Sequence, residues 1–495
     1  MSSSTLPISD PGPQTQGLEH PEKIDHVEEI GRLTKMDRAS ILHPATSIAE
    51  FSAGTAASTI VDTAAGVRIR DAEGRELIDA FAGLYCVNIG YGRSEVANAI
   101  ARQAHQLAYY HTYAGHSTEE LIRLSDRLVK MAPASNDGPM QRVFYGTSGS
   151  DANETQAKLV WYYHNLIGKP RKKRIIARER AYHGNTVMAG SMTGLNFYHN
   201  FMDLPVPAII RTGAPHYYWG AESGESEEQF SNRRAAELEA LILREDPETI
   251  GAFIGEPVLG TGGLIPPPAG YWAAIQAVLH KYEILLIADE VITGFGRTGR
   301  LFGSELYGIE PDLITIAKGL TSAYAPLSGV LVGERVYKAM EAGSAEAGVF
   351  PHGYTYTGHP IAVAAANANL DILERENLAA NAAEVGAYML AGLHDAFDGL
   401  PITGEVRGVG LMLAVEFVAD PATKRRLDPA LKVAYRISAL AREKGLITRA
   451  MPQSEALGFA PPLVLTRSDA DQIVEIASAA TRQVIDDLTH EGKLA

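Results

Sequence analysis

Two residues of this 495-residue chain open the chemical argument. Lys318 ends the run LITIAKG, where four of the five preceding residues are apolar. An ammonium is costly in such a place unless it is paired or neutralised. A partly desolvated amine is instead suited to form a Schiff base with a carbonyl and later to shuttle a proton on the same face. Asp289, with Glu290, closes the run ILLIADEV. A carboxylate there, facing a buried heterocycle, would keep a pyridine nitrogen protonated and make the ring an electron sink. Each residue has a plainer reading: Lys318 as a surface lysine at a loop start, Asp289 as a turn acid or helix cap.

A third segment, YGTSGSDANET, follows the apolar run RVFYGT and precedes a helical pattern. Gly146, Thr147, Ser148, Gly149 and Ser150 offer small side chains and exposed amides at a helix N-terminus, which suits a phosphate. It is no Walker loop, because no G-K-[ST] follows. The string GFGRTG, Gly294 to Gly299, fits G-x-G-x-x-G and would favour a nicotinamide-dependent oxidoreductase. It lacks an acidic residue that ends a second strand about 20 positions on, as a dinucleotide site needs, for that stretch reads YGIEPDLITIAKG and delivers Lys318 instead. There is no H-E-x-x-H and no cysteine pair, so no metal is expected. His111, His116 and His199 read as loop or core residues.

The elements that must hold these groups come next. From about residue 140 to 335, RVFYGT, RIIARERAY, AIIRTG, GAFIGEPV, ILLIADEV, LITIAKG and SGVLVG alternate with helical patterns. Such alternation predicts an α/β fold with a mostly parallel sheet covered by helices. Ligands bind at the carboxyl ends of such strands, where the polar residues above stand. A helix is expected to start at Ser117, capped by its hydroxyl with Glu120 reaching back, and to bury Leu121, Leu124, Leu128 and Met131. Further helices are expected after Ser150, over 228–244 and over 270–282. Beyond about residue 358, helices over 378–397 and 468–488 and the strand candidates GLMLAVEF and GLITRA predict a second, α+β region.

Bulk properties narrow the partners. Net charge is −15, and the basic residues form no stripe apart from Lys169 to Arg174, read as a solvated turn between a helix and a strand. Nucleic acid is not expected as a partner. No run of about 18 apolar residues could cross a bilayer, so no membrane partner is expected. The first 30 or so residues, rich in Ser, Pro, Gly and Glu, read as a tail or an arm laid on another subunit. Cys86 is alone, and the start of the chain shows no basic segment followed by an apolar one, which predicts a reducing cytoplasm. Cys86 itself reads as a small buried hydrophobe.

Taken in order, Ser148-Gly149-Ser150, Tyr182-His183-Gly184, Glu256-Pro257, Asp289-Glu290-Val291 and Lys318 resemble the class III aminotransferases. The likeness spans about residues 40 to 470 and is most specific in ADEVITGFGRTGRLFGSELYGIEPDLITIAKGL. It implies a transferase of fold type I that depends on pyridoxal phosphate, with a large domain built on a mostly parallel seven-stranded sheet and a smaller α+β domain. The expected division is a tail over 1–34, part of the small domain over 35–80, the cofactor-binding domain over 81–357 and the rest of the small domain over 358–495. The resemblance makes Lys318 the Schiff-base lysine and Asp289 the partner of the ring nitrogen. Tyr182 would stack on one face of the ring and Val291 pack the other, with Ser148, Gly149 and Ser150 at the phosphate. His183 and Glu256 would stand near the ring and support Asp289. Thr355, in HGYTYTGHP, would reach the phosphate of a neighbouring subunit, which makes a homodimer obligatory and leaves a tetramer open.

The strings AGLYCVNIGYGR and LITRAMPQ…APPLVLT are similar to the ω-amino acid or amine:pyruvate transaminase branch. Arg449 then corresponds to a mobile arginine for a substrate carboxylate, and Tyr85, Tyr113 and Thr261 to the walls of the substrate pocket. Many relatives carry tryptophan at the place of Tyr85 and alanine at that of Thr261, so this chain departs from the family at two pocket positions. The implied reaction is a ping-pong transfer from an amine to a keto acid, pyruvate, which leaves as alanine. Alternatives on the same fold are 4-aminobutyrate, ornithine or diaminopelargonate aminotransferases, an aminomutase and a decarboxylating transaminase. A binding protein descended from such an enzyme is the alternative outside catalysis.

Overall fold

The structure is a computed structural model that describes residues 26–56 and 58–494. Among these the chain divides into two compact units, one of residues up to 63 with 70–76, the other of 64–69 and 77 onward. Most of the expected tail lies outside the described residues. Its last part, residues 26–34, falls in the helix His26–Ser40. Glu28 and Glu29 in its first turn and Arg38 in its last complement the helix dipole. In the same unit Ser47 caps Ile48–Ala53, and the Arg38 guanidinium lies 5.1 Å from the centre of the Phe51 ring.

The larger unit is built on seven strands: β1 (Met140–Gly146), β2 (Arg174–Arg178), β3 (Ile209–Thr212), β4 (Ile250–Gly255), β5 (Leu285–Asp289), β6 (Leu313–Ile316) and β7 (Ser328–Gly333). They lie in the order β1-β7-β6-β5-β4-β2-β3. β7 runs antiparallel to both its neighbours, and the other pairs are parallel. The sheet is the expected one, and its strands are apolar on both sides for a reason. Successive side chains point to opposite faces, so Ile175, Ala252, Ile254 and Ile287 pack with Ala157 and Val160 of the helix Gly149–Leu166. Ile176, Phe253 and Leu286 face the other way, onto Leu238, Ile275 and Leu279 of the helices Glu227–Arg244 and Tyr271–Lys281. Each such Ile, Leu or Phe side chain, fully buried, contributes about 1.5–3 kcal/mol.

Beyond this sheet the helix Leu378–Phe397, with Arg467–His490 packed against it, and the helix Val433–Glu443 lie on four more strands: β8 (Thr403–Val409), β9 (Met412–Phe417), β10 (Arg449–Ala450) and β11 (Ala456–Phe459). Their order is β8-β9-β11-β10. The single strand expected for GLITRA is broken. Leu446–Ile447 pairs in parallel with Ile78 and Asp79, while Arg449–Ala450 pairs antiparallel with Leu457 and Gly458, so the chain changes sheets at Thr448.

Other expectations need correction. The helix after residue 117 is Glu119–Met131, and its cap is Thr118, whose hydroxyl accepts from the Leu121 amide, because Thr118 and not Ser117 is the last extended residue. Leu121, Leu124 and Leu128 are buried as expected, and Met131 partly so. Lys169 to Arg174 is not simply solvated: Lys172 is buried with its Nζ 3.0 Å from the Tyr282 carbonyl, and Arg174 pairs with Glu245 at 2.6 Å. Cys86 is only partly buried, its thiol 3.2 Å from the Leu84 carbonyl. In GFGRTG, Arg297 is fully buried and donates to Asn88 Oδ1 at 2.9 Å and to the carbonyls of Leu411 and Pro461. The loop is thus stapled shut by its central side chain, a role unrelated to nucleotides.

One ionic cluster joins the two sheets' surroundings. Arg407 donates to Glu405 at 2.7 Å, to Glu416 at 2.8 Å and to the Gly263 carbonyl at 2.7 Å, while Trp219 donates to Glu416 at 2.9 Å. Arg407→Met would leave Glu416 buried without a cation, and the loss should be about 3–5 kcal/mol. Urea unfolding of the variant against the parent would read it as a lowered midpoint.

Candidate active site

The carboxyl ends of β1, β2, β4, β5 and β6 open on one cavity, whose walls include Gly149, Ser150, Tyr182, His183, Glu256, Asp289, Val291 and Lys318. Residues separated by as many as 169 positions in sequence are therefore brought together by strand order alone, as an open α/β sheet requires.

Asp289 ends β5 and is 3% exposed. Its Oδ2 accepts from Asn153 Nδ2 at 2.8 Å and from His183 Nδ1 at 2.7 Å, and its Oδ1 accepts from the Val291 amide at 3.1 Å. All three contacts are donations, so the carboxylate meets the cavity as an acceptor. Because the acid accepts, His183 carries its proton on Nδ1, and its buried Nε2 has no partner among the described residues. Asn153 is fixed from behind: Gln156 donates to the Thr315 hydroxyl at 3.0 Å, Thr315 donates to Asn153 Oδ1 at 2.8 Å, and both amide protons then go to Asp289 and to the His183 carbonyl. Asn153, Gln156 and Thr315 were not among the residues expected at the site. The signal was present: Asn153 lies one helical turn beyond Gly149, and Thr315 is the polar residue of the otherwise apolar strand LITI.

Lys318 follows β6 with φ +41°, a left-handed value uncommon outside glycine and often found at functional sites. Burial pulls its ammonium below the ordinary lysine value. Its Nζ lies 5.8 Å from the centre of the Tyr85 ring. Glu256 accepts from the Tyr182 amide at 3.1 Å and the Gly260 amide at 2.8 Å, and burial raises its pKa. Glu290 serves the fold and not the cavity, since both its oxygens are taken by Thr293, Gly303 and Ser304.

At the other wall Ser148 caps Gly149–Leu166 in a reciprocal box with Asp151. In the cap the hydroxyl only accepts, from the Asp151 amide at 3.2 Å, so its proton and the amides of Gly149 and Ser150, free of intrahelical partners, are left to meet an anion. A Cβ on Gly149 would stand 3.1 Å from Val291, so glycine alone lets Val291 close against the helix start. Burial pushes the Tyr182 hydroxyl up to about 12, and it accepts from Asn185 at 3.1 Å.

Tyr85 is 1% exposed, and its buried hydroxyl lies near the buried Thr261 without a hydrogen-bond partner among the described residues. Arg449 lies on β10 with its guanidinium 5.5 Å from the Phe81 ring and beside the Tyr198 hydroxyl, and no carboxylate pairs with it among the described residues. Two expected residues stand elsewhere. Tyr113 is half exposed in the turn Tyr113–Gly115, against Gly353, and Thr355 is exposed, its carbonyl accepting from Tyr109 at 2.6 Å.

The donor set fits pyridoxal phosphate: paired helix-start amides for the phosphate, an acceptor carboxylate for a protonated ring nitrogen, an aromatic ring, and an amine of lowered proton affinity. Fold and site thus define an enzyme of fold type I that depends on this coenzyme. The class III aminotransferase profile matches residues 51–481, and the chain belongs to that family. It is 63% identical over 466 residues to an uncharacterized aminotransferase, y4uB, of Sinorhizobium fredii, across 94% of this chain and 99% of that protein. It is 55% identical over 465 residues to a diaminobutyrate–2-oxoglutarate transaminase of Halomonas elongata, across 93% and 98%. An ω-transaminase of Pseudomonas jessenii, solved in complex with PMP, superposes with a TM-score of 0.88 at 41% identity, across 92% of this chain and 98% of that one. No helix among the described residues is long and apolar enough to cross a membrane.

The lowered Lys318 pKa has a sign that can be checked on the apoprotein. The unfolded chain keeps that proton up to about 10.5 while the folded one gives it up earlier, so between the two values stability rises with pH. Lys318→Met removes the effect: the variant should be the more stable near pH 7, and its advantage should shrink as pH approaches 10.5. Thermal melts across that range measure it.

Proposed function

We propose that this aminotransferase moves the amino group of an amine or ω-amino acid to pyruvate in a ping-pong reaction, the donor leaving as a carbonyl compound before the keto acid enters. The observation that carries this reading is Arg449, a guanidinium near Tyr85 and Tyr182 held by a ring and a hydroxyl instead of an acid. Such a group can bind a keto acid's carboxylate bidentately, and it loses little by standing aside for a donor that has none.

When bound, pyridoxal phosphate supplies an electrophilic carbon for the donor's nitrogen and an electron sink for the charge that develops at the donor's carbon. Gly149 and Ser150, with the cap residue Ser148 behind them, would hold its phosphate. Tyr182 and Val291 would hold the two faces of its ring, and Asp289 its nitrogen, with His183 and Glu256 orienting that wall. Lys318 would anchor it, and its Nζ, once displaced by the donor, would take the proton from the donor's carbon. Burial supports that step, because it increases the share of neutral amine near pH 7. Tyr85 and Thr261 would bound the donor's substituent.

Thr355 and Tyr113, exposed and away from the Lys318 cavity, support a homodimer in which each chain completes the other's site. The name of the Halomonas elongata relative supports a second reading, a diaminobutyrate donor with 2-oxoglutarate as acceptor. A matrix of donors against pyruvate and 2-oxoglutarate, scored as alanine or glutamate formed, decides between them.

Lys318→Ala should abolish turnover and the coenzyme's visible absorbance together, and borohydride should fix no coenzyme on the peptide that carries residue 318. Arg449→Ala should raise KM for pyruvate by about 10- to 100-fold, the range of a lost charge-assisted pair, with little change in the half-reaction of a carboxylate-free amine. Equal losses in both half-reactions would remove Arg449 from the acceptor site.

A further inference from the structure

We propose that Asp79 is a positioning residue for the substrate pocket, its carboxylate bracing the left-handed turn that places Tyr85 beside Lys318. This deepens the reading above and rests on it, since it takes Tyr85 as a wall of the donor site. The motivating observation is in the backbone. Ala82, Gly83, Leu84 and Tyr85 follow one another with φ of 47°, 53°, 82° and 67°. Three of the four carry side chains, and a left-handed run of such residues does not persist without support from outside it.

That support comes from one acid. Asp79 Oδ1 accepts from the Phe81 amide at 2.9 Å, and Oδ2 accepts from the Gly83 amide at 2.6 Å and from the Tyr91 hydroxyl at 2.6 Å. Asp79 is 3% exposed, and no cation pairs with it among the described residues, so three neutral donors compensate its buried charge. Gly83 is the residue the brace demands, for a Cβ there would stand 2.9 Å from the Tyr91 oxygen. Burial and the neighbouring Asp79 push the Tyr91 pKa far above the tyrosine range, so its hydroxyl remains a donor at any assay pH.

The turn delivers its two aromatic residues to the site. The Phe81 and Tyr85 rings lie 4.4 Å apart, with Arg449 over the first and Lys318 over the second. A carboxylate is needed because the donors converge on both of its oxygens. An amide would turn its NH2 toward either Phe81 N or the Gly83 and Tyr91 pair, donor against donor. Loss of the brace would therefore release the turn and move Tyr85, without touching the coenzyme's holders.

The test is a double-mutant cycle on the holoenzyme. Asp79→Asn, Tyr85→Ala and the double variant are assayed with a bulky aryl amine and a small alkyl amine, and the ratio of their kcat/KM values is compared with the parent's. Asp79→Asn should shift that ratio by roughly fivefold or more, through KM more than kcat, with the coenzyme's absorbance spectrum unchanged. In the Tyr85→Ala background it should shift the ratio no further. An equal shift in both backgrounds, or none in the parent, overturns the brace while the pocket stands. If Tyr85→Ala itself leaves the ratio unaltered, the pocket assignment falls and takes this inference with it. Should Asp79→Asn fail to fold, Tyr91→Phe, which removes one donor of three, replaces it in the cycle. It should give a smaller shift of the same sign, and no shift overturns the proposal.

Discussion

A carboxylate buried at the end of the central strand is the constraint from which the site follows. Asp289 cannot stand there without donors, and the structure meets that demand with Asn153, His183 and the Val291 amide. Each donor in turn must be held. Asn153 belongs to the helix whose first turn offers free amides, His183 to the loop that carries Tyr182, and Val291 closes against Gly149. Satisfying one acid therefore fixes the walls on which the other functional groups stand. The seven-stranded sheet is the frame that makes this affordable, because its parallel strands release their polar ends at a common edge.

Much of this arrangement was legible in the sequence because both-faced apolar strands end abruptly in polar residues. ILLIADEV and LITIAKG announce both a buried sheet and the groups it delivers, and Asp289 and Lys318 lie on one cavity as that pattern requires. The turn proposed for the phosphate was legible for the same reason, a strand followed by small residues and a helix start. The division of labour within it was not. Ser148 reads as a phosphate ligand, and its hydroxyl oxygen also caps the helix in a reciprocal box with Asp151, a local pairing that backbone geometry decides.

What the sequence hid is mostly contact across long separations or change of partner along short ones. The relay from Gln156 through Thr315 to Asn153 joins a helix to a strand about 160 residues away, and nothing local marks it beyond a stray polar residue. GLITRA has the period of one strand, yet Thr448 passes it between two sheets. Lys172 looks like part of a solvated basic turn, and only the carbonyls of Tyr282 and Glu283 explain why it is buried. Arg297, inside a nucleotide-like string, turned out to be a staple for the same kind of reason.

The break at Thr448 also ties together two elements of the proposed substrate site. Ile447 is registered against Asp79, and the Ala80 amide donates to the Ile447 carbonyl at 3.0 Å. Two residues later on one side comes Arg449, and two residues later on the other comes Phe81. The arginine and the aromatic turn thus hang from a common hinge pin, and neither can be shifted along its strand while the other stays put. Selection for a new substrate acting on one will be felt at the other, so these positions are inherited, and best redesigned, as a single unit.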